Sequence, residues 1–205
     1  MGKALALAAL TPKVNAADMT LQQKGMTILS DAVGLDLTKY ETLAKEYPQD
    51  SYFGVIPERN VEYHLESDES KLKLLCTFTD DDLHILHVLE REGSPHTTKT
   101  AINVLEMARD FLSSYQTYSG NTFYGELASM LDTVDANKNL TKTSRNVKLE
   151  VTTAGEYKTF EWSYTFNGVN AASKCVALGY KNGFLKHFID TWNLYKIGST
   201  TVNLS

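Results

Sequence analysis

From Tyr157 to Asn167 the chain reads YKTFEWSYTFN, in which Phe160, Trp162, Tyr164 and Phe166 alternate with Thr159, Glu161, Ser163 and Thr165. A period of two gives a β-strand one buried and one wet face and gives a helix neither. The following stretch, Ser173 to Gly198, turns back on itself at Asn182-Gly183. Asn-Gly suits a type I′ hairpin, whose two central residues both need positive φ. Phe184, Phe188, Trp192 and Tyr195 load the return arm with rings. Each ring buries about 150–250 Å², so the Phe160–Phe166 stripe reads first as core and second as a ligand or partner platform. An antiparallel sheet is therefore the frame of the chain.

Taken in order, Thr20 caps a helix that runs to Val33 and stops at Gly34. LDLTKYETLAKEYP is ambiguous between a short helix and an extended segment, and Pro48 and YFGVIPERN read as a loop. Three strands follow, at Val61–Leu65, Leu72–Phe78 and Leu83–Glu90, the last two joined at Asp80-Asp81-Asp82. From Thr100 the period becomes 3.6, with Ala101, Val104, Leu105, Ala108, Leu112 and Tyr115 on one face. A second helix carries Phe123, Leu127, Met130, Leu131 and Val134, and DANKNLTKTS is a polar loop. Strands at Asn146–Thr152, Tyr157–Asn167, Ser173–Tyr180 and Phe184–Lys196 complete the chain.

This order predicts an α+β fold of antiparallel sheets with helices packed on one face. It divides into a signal peptide or tail at 1–17, a helix-plus-three-strand unit at 18–93, and a unit of two helices and four strands at 94–205. Asn60-Val61-Glu62 echoes Asn146-Val147-Lys148, and Ser70-Lys71 echoes Ser173-Lys174, which points to internal duplication. Trp162 is expected under the Ala101-Leu105-Ala108-Leu112 stripe.

A net charge of −5, with no basic cluster interleaved with aromatics, argues against nucleic acid as partner. No apolar run is long enough to span a bilayer. Met1-Gly2-Lys3, the apolar Ala4–Leu10 and the small-residue site Val14-Asn15-Ala16 have the order of a secretory signal, with mature protein beginning near Ala17. Cys76 and Cys175 read as small buried hydrophobes, with a single bridge as the other option.

Chemistry-bearing motifs are few. His64, His84 and His87 lie on neighbouring strands and His187 in the matching strand of the second half. His84 and His87 should face opposite ways, which leaves His64 with His84 as a cross-strand metal pair lacking a third ligand. Asp135, Asn137 and Asn139 fit the start of a calcium loop, but Leu140 stands where its glycine belongs and Asn146 where its bidentate glutamate belongs. No nucleophile elbow, phosphate loop, HExxH or CxxC occurs, so no catalytic residue and no cofactor is assigned.

The stretches Tyr63–Ser67, Tyr115–Gly120, Met130–Asp135, Lys142–Leu149 and Trp192–Thr200 resemble a family of uncharacterised archaeal proteins. The similarity runs from Thr20 to the end and contains no catalytic motif. It implies export to an archaeal cell surface and carries no activity with it. The expectation is a non-enzymatic exported binding or structural module, secreted or in the cell envelope, with a protein or surface ligand as partner. The alternative is an extracellular hydrolase or metal-dependent enzyme whose site is assembled from distant residues.

Overall fold

The computed structural model describes residues 19–49, 58–99 and 103–194. The expected signal segment, Ala101, the Gly54–Pro57 loop and everything from Tyr195 onward lie outside these residues.

The chain forms α1 (Leu21–Thr27), β1 (Glu41–Gln49), β2 (Glu58–Glu66), β3 (Ser70–Thr79) and β4 (Asp82–Gly93). It continues with α2 (Val104–Ser119), α3 (Phe123–Ser129), β5 (Leu140–Ser144), β6 (Val147–Ala154), β7 (Tyr157–Phe166), β8 (Val169–Lys181) and β9 (Phe184–Asp190). Thr20 closes a capping box with Gln23 at the start of α1, and a π-helical turn, Ile28–Ala32, extends that helix. Asn103 caps α2 by accepting from the Glu106 N–H at 3.0 Å.

The nine strands of the described residues join one antiparallel sheet in the order β1-β2-β3-β4-β9-β8-β7-β6-β5. The fold is α+β. The first half contributes four strands rather than three, because the ambiguous segment after Leu37 becomes β1. The second contributes five rather than four, because β5 forms inside the stretch read as a polar loop. The last strands of the two halves, β4 and β9, meet in the middle.

Register explains the core. Val61, Cys76, Leu86, Phe188, Leu178, Phe160 and Val151 are cross-strand neighbours in a single row that crosses the sheet from β2 to β6. All seven are buried. The helices cover this face. Tyr63 of β2 donates to the Gln22 carbonyl of α1 at 2.8 Å, and Phe111 of α2 lies against Phe188 with centroids 5.0 Å apart. The adjacent row, Leu75, His87, His187 and Gly179, belongs to the opposite, open face.

Trp162 is fully buried in the core cluster. The aromatic stripe does not stay buried along its whole length. Between Ser163 and Tyr164 the pairing with β8 jumps from Cys175 to Ala171, after which Tyr164 is half-buried and Phe166 exposed. The irregularity releases the end of β7 from the alternation that its letters suggest. Cys76 and Cys175 are both unpaired, and two strands, β4 and β9, lie between theirs. Among the described residues no helix is long and apolar enough to cross a membrane.

Candidate functional site

One end of the β4–β9 junction brings together two buried titratable side chains, His84 and Asp190. The β3–β4 hairpin turns through Asp80 and Asp81, both at positive φ. Just beyond it, β4 carries one extra residue, so that Leu83 and His84 together stand where β3 has Phe78. That bulge aims His84 at the end of β9, where the chain has Asp190. Tyr115 of α2 and Tyr124 of α3 close the site from the helix layer. The result is a cavity of about 230 Å³, lined by His84, Asp190, Tyr115, Tyr124, Asp80 and Asp82 among others.

Asp190 is 7% exposed. The Tyr124 hydroxyl donates to its Oδ2, and the Trp192 N–H donates to its Oδ1 at 2.9 Å. Burial raises its pKa above the usual carboxylate value, and the two hydrogen bonds oppose that shift only in part. Burial likewise raises the Tyr124 hydroxyl, and the Asp190 charge adds to the effect. His84 is also buried, with Nδ1 2.8 Å from Thr79 Oγ1 and Nε2 3.5 Å from Glu58 Oε1. Burial lowers its pKa, while the Glu58 and Asp190 carboxylates pull the other way. Tyr115 donates to the Leu83 carbonyl at 2.7 Å and packs edge-on against Tyr124, centroids 4.8 Å apart.

The sequence-predicted ligands do not come together. His64 is exposed, with Nε2 2.7 Å from Glu62 Oε1. It lies six residues along β2 from Glu58, the neighbour of His84, and six residues of strand span about 20 Å. In the calcium-like loop the oxygens are already engaged. Asp135 accepts from the Asn137 N–H at 3.0 Å and stands 3.3 Å from the Lys138 ammonium. Asn137 Oδ1 accepts from Lys158 at 2.7 Å, and Asn139 Oδ1 accepts from the Thr153 N–H at 2.7 Å. Two lysine ammoniums and two backbone amides thus face the atoms that a cation would need. Among the described residues no three His, Cys, Asp or Glu side chains form a metal-binding group.

Sequence reasoning found His84 and missed Asp190, Tyr115 and Tyr124 as its company. Asp190 and Tyr124 are 66 residues apart, and no spacing rule connects a strand end to a helix over that distance. A second cavity, of about 310 Å³, lies between α2 and the β8–β9 hairpin and is lined by Val33, Lys99, Phe111, Tyr180 and Phe184 among others. Its lysine is committed, donating to the Asp31 carbonyl at 2.6 Å and to Ser114 Oγ at 3.1 Å.

No family model matches the chain, and no curated protein matches it by sequence. A solved structure, the Bacillus megaterium YpeB C-terminal domain, aligns with 91% of this chain and 69% of its own length. The identity is 7% and the TM-score 0.45, a likeness too distant to carry an inference about function.

Proposed function

We propose that the protein is a non-enzymatic binding or structural module, exported to an archaeal cell surface, with a protein or surface ligand as its partner. The observation that carries the non-enzymatic part is the bonding inside the cavity. Both Asp190 oxygens, both tyrosine hydroxyls and His84 Nδ1 are committed to partners within the protein. A general acid, base or nucleophile needs a reactive atom within reach of substrate. Here those atoms tie α2 to β4, α3 to β9 and β3 to β4.

The surface offered to a partner is the open face. The edges are guarded: β1 carries Lys45, Glu46 and Pro48, and β5 is only five residues long. The module itself reads as a duplicated helix-plus-sheet unit. The β3–β4 and β8–β9 hairpins are each the last strand pair of their half, and each turns through two residues at positive φ. Export rests on the basic start, the apolar run and the small-residue site of residues 1–16. The archaeal setting rests on the resemblance of the stretches from Tyr63 to Thr200.

A hydrolase is the second reading, favoured by an acid with raised pKa and a histidine with lowered pKa in one cavity. Protein purified from its native source tests both. Intact mass should show a chain beginning near Ala17, and the preparation should be inert on chromogenic esters, glycosides and phosphomonoesters. A cytosolic chain retaining Met1 sinks the export reading. Turnover that disappears in a folded Asp190→Asn variant sinks the non-enzymatic one.

A further inference from the structure

The two halves of the sheet are joined by its shortest pairing. Only Ile85↔Ile189, Leu86↔Phe188 and His87↔His187 link β4 to β9, against nine pairs linking β1 to β2. At one end of this seam two histidines stand directly opposite each other on the open face. Their rings lie edge to face with centroids 6.1 Å apart. Gly179 makes room for one of them, since a Cβ there would lie 2.1 Å from Cε1 of His187. The neighbouring Lys186 reaches across the seam and donates to the Val88 carbonyl of β4.

The charges around the pair are unbalanced. On β9 the neighbour is the Lys186 ammonium, and on β4 the next residue on this face is Glu90, which stands opposite Lys73 of β3. The row continues to Leu75 on β3, and to Gly179 and then Thr159 on β8 and β7. Glu62 of β2 lies beyond Leu75 and is already bonded to His64 at 2.7 Å and paired with Lys73 at 3.4 Å. Glu161 of β7 is in the adjacent row, beyond Ala177. Tyr63, Phe111 and Tyr124 place α1, α2 and α3 on the other face. No third donor joins the two imidazoles among the described residues, so a closed metal site is not formed there.

We propose that the His87–His187 pair makes the β4–β9 seam a pH-sensitive junction, loosened when both rings take up protons beside Lys186. Each proton adds a positive charge at a spot already holding one, and among the described residues no carboxylate is a resolved influence on either ring. The seam is where such repulsion tells most, because so few backbone pairs resist it. Burial holds both rings below the ordinary histidine value of 6.5, and Lys186 lowers each further; His87 also lowers His187. A histidine whose folded pKa is depressed contributes stability fully above its unfolded value and loses it as pH falls through the folded one. The window therefore opens below about pH 6.5.

His84 titrates in the same direction, and Asp190 in the opposite one. The test is therefore local rather than global. First, histidine ring resonances are followed by NMR from pH 8 to pH 4.5 in the parent and in His87→Gln. Removing one partner should raise the titration midpoint of His187; an unmoved midpoint overturns the coupling. Second, amide hydrogen exchange, corrected for its intrinsic pH dependence, is compared at pH 7.5 and pH 5. Protection at 85–87 and 187–189 should fall by about tenfold relative to β2 and β7, and His87→Gln/His187→Gln should abolish that selective fall. A fall spread evenly over the sheet, or one that persists in the double variant, overturns the proposal. If the double variant does not fold, each single variant should still halve the selective fall on a logarithmic scale, and a single variant matching the parent counts against it.

Discussion

Trp162 shows how far a single residue can be read from letters. It alternates with Glu161 and Ser163, and it is wholly buried, as the alternation predicts. Its Nε1 has no hydrogen-bond partner among the described residues, so its contribution is packing. Trp162→Ala should cost about 3–5 kcal/mol in a urea titration, from lost apolar area plus the cavity left behind. Glu161→Ala, half-buried on the other face, should change stability by less than about 0.5 kcal/mol. A Trp162→Ala variant as stable as the parent would mean that this ring is not part of the core. Asp190 shows the opposite case. Within FLKHFID it is one polar residue at the end of a strand, and nothing near it in sequence announces a tyrosine from α3. Its role is set by the tertiary layer alone.

Among the elements, those in the middle of the sheet were legible and those at its edges were not. β2, β3 and β7 carry apolar residues at every second position, facing the core, while β8 is buried without a break from Val176 to Tyr180. β1 has almost nothing to bury. Leu43 is 66% exposed and Ala44 only partly covered, so ETLAKEYPQ carries no period of two. β5 likewise half-buries only Leu140 and Lys142. The turns were easier, because backbone sterics write them locally. Gly183 sits at φ +68°, and a Cβ there would touch nothing within 4 Å. Gly183→Ala therefore isolates the left-handed backbone cost, about 1–2 kcal/mol. Thermal unfolding of that variant should show a clear drop, and an unchanged midpoint would mean that the turn relaxes to another type.

At the scale of the molecule, the two units expected from sequence share one sheet and one core. α2 straddles the seam: Tyr115 bonds the Leu83 carbonyl of β4 and its ring meets Phe188 of β9, centroids 4.8 Å apart. α3 ties in through Tyr124 and Asp190. This polar cluster holds the helix layer to the sheet. Asp190 has a raised folded pKa, so its burial weighs more against the fold as pH rises through that value. Tyr124→Phe removes a donor from the ionised carboxylate and raises that pKa further. The loss should thus be larger at pH 8 than at pH 5. The most direct measurement is equilibrium urea unfolding of Tyr124→Phe against the parent at both pH values. A single transition is expected, with stability lower by about 1–3 kcal/mol at pH 8 and by less at pH 5. An unchanged midpoint at pH 8 would contradict the claim, because Asp190 would then not depend on the bond that is said to hold it.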